Sequence, residues 1–367
     1  MPITRNWAYF DHAAVAPISG PAQQALASWV EQAACQGSTP YPTWIEQIQR
    51  LRALAADLFG AETDEIALIR NTTEGINLVA QGFPWQPGDN VVTLANEFPA
   101  NQYPWMNLAD RGVETRRVPV LEGGVDLAQL AGACDRRTRI VTVSWVGFAS
   151  GWRNDLEQLA QIAHGCGALF FLDAIQGLGV FPLDLRQTPI DFFAADGHKW
   201  LLGPEGAGLF FTRREHLDRL HPVGVGWNSV RGAHDFSRIE FVLKQTAARY
   251  EGGTQNTPGL IGLGASLAML GRIGFEAISD RVIELTDLAC RRLGQLGAVI
   301  HSDRAPGHRS GIVSFELPGR DAEELSRQCL RRHVVLSCRG GRLRISPHAY
   351  NDPSDVDRLI EALEAGS

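Results

Sequence analysis

Residues 191–208, DFFAADGHKWLLGPEGAG, constrain this chain more tightly than any other stretch. Phe192-Phe193-Ala194-Ala195 is a short apolar run of the kind that forms a buried strand. Asp196-Gly197 turns the chain and presents His198 and Lys199. A Gly/Pro-rich turn, Gly203-Pro204-Glu205-Gly206, leads into a second apolar run over residues 207–211. A lysine between two core strands cannot be buried cheaply as a bare ammonium. Either it reaches the surface at a strand end, or, partly desolvated, it loses its proton readily and can condense with an aldehyde.

A carboxylate upstream favours the second choice. Ala168-Leu169-Phe170-Phe171-Leu172 is an uninterrupted apolar run, which predicts a buried parallel strand. It ends in Asp173-Ala174-Ile175-Gln176. An acid at the C-terminal end of a central strand sits where open α/β sheets bind ligands. Asp173 there either caps the next helix or pairs with a protonated pyridine nitrogen, which makes that ring an electron sink. Gln176 is placed to donate to the phenolic oxygen of the same ring. A lysine and an aspartate in these positions match the needs of pyridoxal 5′-phosphate (PLP): Lys199 for the Schiff base, Asp173 for the pyridinium.

The rest of the chain supplies the frame. Apolar strands at residues 65–70, 90–94, 114–118 and 140–143 alternate with helical patterns up to residue 211. Such alternation predicts a doubly wound, mostly parallel sheet covered by helices. Further helical patterns run over residues 19–35, 43–58, 156–164 and from 258 to 270. Thr72 and Thr73 fall at the step from a strand into a helix. Hydroxyls and free N–H groups there either cap the helix or hold a phosphate. The Gly-rich turn Glu251-Gly252-Gly253-Thr254 offers a hydroxyl and free amides to a phosphate as well. Helical patterns at 275–296 and 322–332, with strands at 299–301 and 311–316, predict a smaller C-terminal α+β domain. The expected division is an N-terminal arm over residues 1–15, packed with the small domain, a large domain over 16–255 and the small domain over 256–367.

Composition narrows the function classes. A chain of 367 residues with 44% hydrophobic residues can bury a substantial core. A net charge of −7 argues against nucleic acid as the main partner. Neither a membrane span nor a signal peptide is expected from the hydropathy. Cysteines 35, 134, 166, 290, 329 and 338 form no CxxC pair, which suits reduced thiols in a cytoplasm better than a disulfide framework or a metal site.

The combination D-A-x-Q and G-H-K-W-L-x-G-P-x-G resembles the class V aminotransferase group of fold-type I PLP enzymes. That group includes cysteine desulfurases, selenocysteine lyases, isopenicillin-N-epimerase-like proteins and kynureninases. The resemblance covers nearly the whole chain. It implies PLP as cofactor, Lys199 and Asp173 as catalytic residues, and a phosphate site of Thr72, Thr73, His198 and Thr254. In the family the last of these reaches across a homodimer, so a twofold dimer is implied. It implies Arg344, in R-x-S-x-x-x-Y-N, as the ligand of the substrate α-carboxylate, with Arg342 the alternative if the register slips. The segment Tyr9-Phe10-Asp11-His12-Ala13-Ala14 would lie near the substrate, with His12 a substrate contact or a turn residue and the backbone at Ala13 beside it.

Departures from the desulfurase pattern matter equally. Phe98 stands where desulfurases have a histidine; a phenyl ring stacks but carries no proton. The amide expected near Phe148 is missing, and Trp145 and Phe148 would make the pocket more apolar. Asp196 replaces a phosphate-binding serine, and is expected to turn away or pair locally. Cys338 stands six positions before Arg344, closer than the family's nucleophilic cysteine, and follows the apolar run Val334-Val335-Leu336. As a nucleophile it would need a cation such as Arg339 or Arg342. The expected activity is therefore PLP chemistry on a small L-amino acid, by transamination or Cβ elimination. Cysteine desulfurase or selenocysteine lyase, releasing sulfur or selenium and alanine, stands second, followed by a kynureninase-type hydrolase and a PLP-binding regulator without turnover.

Overall fold

The computed structural model describes residues 1–120 and 124–365. Among the described residues the largest sheet has seven strands, in the order Ile66–Ile69, Gly208–Thr212, Phe192–Asp196, Leu169–Asp173, Thr138–Ser144, Asn90–Leu94 and Glu114–Val118. Neighbours pair in parallel except at Gly208–Thr212, which runs antiparallel to the strand on each side. The central strands are buried along almost their whole length. Helices cover both faces, which is why these strands read as continuous apolar runs rather than alternating ones. The outer strand Glu114–Val118, sequence ETRRV, carries charges that blunt an exposed edge.

The opposite edge is closed differently. All four residues of Ile66–Ile69 are buried, although among the described residues no strand lies beyond them. Two side chains supply the missing ladder. Arg52, on the helix Tyr41–Phe59, donates from Nη1 to the Ile66 carbonyl at 2.6 Å. Glu251 Oε1 accepts from the Leu68 N–H at 2.9 Å. The two also pair with each other, Nη1 to Oε1 at 2.5 Å and Nη2 to Oε2 at 2.9 Å. A buried ion pair is stabilising only when its remaining hydrogen bonds are satisfied, and here the strand edge satisfies them.

Parallel pairing brings the C-terminal ends of the strands to one edge. Asp173 and Ser144 are register partners there, and Asp173 is opposite Ala194 on its other side. The helix Thr72–Gly82 starts at the same edge, capped by Asn71 Oδ1, which accepts from the Glu74 N–H at 2.9 Å. It lies so close to the sheet that a Cβ on Gly75 would stand 2.5 Å from the Ala194 methyl. The loop after Phe192–Asp196 is tight as well. Leu202, buried, has φ 54°, a conformation disfavoured for a residue with a branched side chain. Hydrogen bonds from Leu202 N to Lys199 O at 3.0 Å and from Gly203 N to Gly197 O at 2.9 Å hold that turn.

The C-terminal part builds an antiparallel sheet in the order Ser337–Arg339, Arg342–Ile345, Val313–Glu316, Val299–Ile300, with a core of its own. The N-terminal strand Ala8–Tyr9 pairs in parallel with Val334–Val335, and Asp11 bridges to Ser346. The chain from Phe10 to Ala14 is thereby drawn across to the sheet edge. Helices Gly20–Gln36, Tyr41–Phe59 and Thr257–Ile273 pack together on the large sheet. The boundaries agree with the sequence patterns to within a few residues. A short helical stretch not anticipated from periodicity, Tyr103–Met106, follows Phe98. Among the described residues no single helix is long and apolar enough to cross a membrane.

Arg52→Ala leaves the Glu251 carboxylate buried without its partner and the strand edge half-bonded. It is expected to lower unfolding free energy by about 3–5 kcal/mol. Urea denaturation followed by circular dichroism measures it.

Candidate active site

Lys199 follows the strand Phe192–Asp196 and points into a cavity of about 350 Å³ at the sheet edge. Burial lowers its amine to about 8, against the partial support of the Asp173 carboxylate; the Arg344 guanidinium pushes the same way as burial. A useful fraction is therefore the neutral, nucleophilic amine at neutral pH. Asp173 ends the adjacent strand and is 2% exposed. Burial raises its carboxyl to about 6, while the Ile175 N–H and Lys199 oppose the rise. Oδ1 accepts from that N–H at 3.2 Å, and no other hydrogen bond to the carboxylate occurs among the described residues. A cation placed before it would meet a largely ionised partner.

One end of the cavity suits an anion. Thr72 and Thr73 begin the helix Thr72–Gly82 and line the cavity with His198. The Thr72 hydroxyl accepts from the Asp196 N–H at 3.0 Å, so its side chain is already engaged. The first-turn N–H groups and the helix dipole remain for a phosphate. Asp196 does not turn away: it lines the cavity. It pairs locally, Oδ2 standing 3.0 Å from His198 Nδ1. The imidazole, this carboxylate and the helix start line the cavity together.

The walls are apolar. Phe98 and Phe148 meet edge to face, ring centroids 5.3 Å apart, and Lys199 Nζ lies 5.7 Å from the Phe98 centroid. Trp145 is not among the lining residues. It packs against Phe181 and over Gly177, where a Cβ would come within 2.4 Å of the indole. Gln176 lines the floor, donating to the Ala13 carbonyl at 3.0 Å and accepting from Trp200 Nε1 at 2.9 Å. One N–H of its amide is left over.

Arg344 is 1% exposed and also reaches the cavity. Nη2 pairs with Asp11 Oδ1 at 3.0 Å, Nη1 donates to the Phe148 carbonyl at 2.6 Å, and Nε to Ser337 Oγ at 3.2 Å. A guanidinium has five N–H donors, so two remain for a carboxylate. Arg342 lies outside, lining a neighbouring cleft. The register Ser314–Arg344 leaves no slip to resolve.

Three expected site residues lie apart from the cavity or face away from it. His12 is fully buried, its Nδ1 2.7 Å from the Ser346 carbonyl and its Nε2 2.7 Å from Tyr350 Oη. Both ring nitrogens are used inside the fold; only its neighbour Ala13 lines the cavity. Thr254 is exposed and lines a different cleft, of about 920 Å³, with Thr73 on the shared wall. Cys338 sits between Ser337 and Arg339 on one strand, and alternation turns it to the other face. There burial raises its thiol, as do Glu323 and Asp321, against the opposing pull of the Gly341 backbone and Arg339. No cysteine lines the cavity among the described residues.

Sequence reasoning passed over Asp11, which orients Arg344, and Glu97. Glu97 lies behind Asp173, and burial raises its carboxyl to about 7. It accepts from the Ser144 N–H at 2.7 Å, from the Ser144 hydroxyl, and from Asn101 at 3.2 Å. An acid beside a cavity-facing aromatic was the available signal.

These residues fit PLP on their own chemistry. Lys199 would hold the aldehyde carbon, Asp173 the pyridine nitrogen, Thr72, Thr73 and His198 the phosphate, and Phe98 a ring face. A lysine that titrates near 8 also predicts a pH profile. Borohydride-trapped attachment of PLP to the apoprotein should speed up about tenfold per pH unit below 8 and level off above it. An ordinary exposed lysine would still be accelerating at pH 10.

The Aminotransferase class-V profile matches residues 8–359. A probable cysteine desulfurase of Methanothermobacter thermautotrophicus is 33% identical, over 99% of this chain and 96% of its own. A cysteine desulfurase of Dickeya dadantii is 34% identical, over 86% and 80%. Among solved structures, the apo cysteine desulfurase of Thermococcus onnurineus superposes with a TM-score of 0.90 at 25% identity, covering all of this chain and 96% of that one. The cystine C-S lyase C-DES shares the fold, TM-score 0.92 at 23% identity, over 99% and 98%. The chain belongs to the class V aminotransferase family of PLP-dependent enzymes and is cysteine desulfurase-like within it.

Proposed function

We propose that this enzyme cleaves the Cβ–S bond of cysteine or of a cysteine-derived L-amino acid. What carries the reading is the joining, in one cavity, of a depressed lysine, a buried carboxylate and an arginine with two donors to spare, in a chain whose relatives are cysteine desulfurases. PLP supplies the electron sink for a carbanion at the substrate Cα. The chain supplies the rest. Arg344 orients the α-carboxylate through its two remaining N–H groups. Lys199, with its amine free and neutral, takes the proton from Cα. Asp173 holds its negative charge opposite the pyridine nitrogen. Phe98 and Phe148 keep water from the reacting face. The dimer in which Thr254 completes the partner's phosphate site belongs to this same proposal.

The placement of Cys338 favours elimination over transfer of sulfur to a protein thiol. Cysteine and one water would then yield sulfide, pyruvate and ammonia. Alanine in place of pyruvate would mark the desulfurase reaction of the relatives.

Sulfide, pyruvate and alanine released from L-cysteine are the quantities to measure. Sulfide with pyruvate is expected from L-cysteine; the absence both of sulfide from L-cysteine and of a thiol or persulfide from an S-substituted cysteine would overturn the reading. Lys199→Ala should cut sulfide release by about 100-fold to 10,000-fold, the range for loss of a general base. Arg344→Ala should raise KM by about 10- to 100-fold, the loss of a charge-assisted pair. Cys338→Ser should stay within about twofold of wild type, as for a residue off the cavity.

A further inference from the structure

A carboxylate stands at the phosphate end of the cavity, where it would repel a second anion. Asp196 closes the strand Phe192–Asp196, opposite Gly208 on the next strand. Its backbone N–H donates to Thr72 Oγ1 at 3.0 Å, which ties this strand end to the first residue of the helix Thr72–Gly82. Side chains alternate along a strand, so Asp196 shares a face with Ala194, the residue that packs against Gly75 of that helix. The carboxylate therefore lies on the side of the sheet where the helix starts. It is 4% exposed, and among the described residues its Oδ1 has no hydrogen-bond partner.

The other oxygen faces His198. Oδ2 lies 3.0 Å from Nδ1, within ion-pair reach, yet the ring nitrogen is not aligned for a hydrogen bond. The backbone holds the histidine in place, its carbonyl accepting from the Ala16 N–H at 2.7 Å. The remaining titratable groups that line the cavity are Asp173, Lys199, Arg339 and Arg344. Among the described residues Asp196 alone is within ion-pair distance of the imidazole. A neutral imidazole has one N–H. If Nδ1 turns that proton to Asp196, Nε2 is left as an acceptor and meets a phosphate oxygen lone pair to lone pair. If Nε2 turns it to the phosphate, Nδ1 meets the carboxylate in the same way. An imidazolium, with an N–H on each nitrogen, serves both anions at once. A hydroxyl in place of Asp196 would set no such demand, because it can donate to Nδ1 while the Nε2–H serves the phosphate.

We infer that Asp196 couples phosphate binding to proton uptake: His198 takes on its second proton as the cofactor's phosphate arrives, and Asp196 is the positioning residue that requires it. The inference rests on reading the cavity as a PLP site, and not on which bond of the substrate is cleaved. The proton comes from solvent and stays on the ring while the phosphate is bound. Carboxylate, imidazolium and phosphate then alternate in charge beside the N–H groups of the helix start. Raising the pH withdraws that proton and leaves two anions without a cation between them, so the hold on the cofactor loosens in base.

The test uses 4-deoxypyridoxine 5′-phosphate, which lacks the aldehyde and so keeps Schiff-base formation out of the measurement. Calorimetry on the apoprotein in two buffers of different ionisation enthalpy counts the protons taken up per analogue bound. It is run at about pH 8.5, above the ordinary imidazole range, where the free phosphate is a dianion. Wild type is expected to take up about one proton more than Asp196→Asn or His198→Gln. Its dissociation constant should also rise about tenfold from pH 7.5 to 8.5 relative to that of Asp196→Asn. Lys199, Asp173 and Glu97 are common to all three proteins; Asp196 also acts on Lys199, an influence that His198→Gln leaves in place. Equal proton counts in the three proteins would overturn the inference. So would a proton lost in Asp196→Asn but kept in His198→Gln, which would put it on the phosphate instead. Failure of wild type to bind the analogue would overturn the inference together with the phosphate site. No arm involves turnover, so absence of C–S cleavage with the proton difference intact would count against the proposed reaction alone.

Discussion

The opposed burial of Lys199 and Asp173 is the constraint on which the rest of the site depends. Each is held where its charged form is disfavoured, so the amine drops to about 8 and the carboxyl rises to about 6. No direct ion pair joins them among the described residues. The space between is kept open by backbone: two parallel strands whose C-terminal ends stand side by side, and a tight turn through Leu202. A fold that let the side chains collapse onto each other would neutralise both and leave nothing for a cofactor. Parallel pairing fixes the strand ends, and the positive φ of Leu202 is tolerated because the surrounding turn is hydrogen-bonded.

A second theme is the use of side chains to finish what the backbone leaves open. Arg52 and Glu251 stand in for an eighth strand along Ile66–Ile69, and in doing so anchor the Gly-rich turn that carries Thr254. Asp11, brought over by a two-residue strand, orients Arg344 from the other end of the chain. Asp196 Oδ2 stands 3.0 Å from His198 Nδ1 where both line the cavity. In the first two cases a buried charge is matched before any ligand arrives, which limits the desolvation cost of the site.

Much of the fold was legible because buried parallel strands declare themselves as unbroken apolar runs, as at 168–172 and 192–195, and because helices between them keep their 3.6-residue period. Lys199, Asp173, Thr72 and Thr73 were legible for a related reason: each sits at a strand end or helix start, where position along the chain nearly determines position in space. His12, Trp145 and Cys338 were not. Each lies in a segment whose sequence position puts it near the site, yet its side chain can face either way. His12 turns inward to Ser346 and Tyr350, Trp145 lies over Gly177, and Cys338 faces the helix Ala322–Arg331.

The amino-acid sequence alone determined the doubly wound sheet, the lysine and the carboxylate at its C-terminal edge, and the family pattern, since these follow from local periodicity and from motifs whose residues are close in the chain. The tertiary structure decided which charges are free. Asp11 and Arg344 are 333 residues apart, and Arg52 and Glu251 199 apart. No local pattern couples such pairs, because the free energy that joins them comes from burial in the finished core rather than from neighbouring residues. Only with those pairings known does Arg344 emerge as a guanidinium already oriented, and the cavity, among the described residues, as one that lacks a thiol.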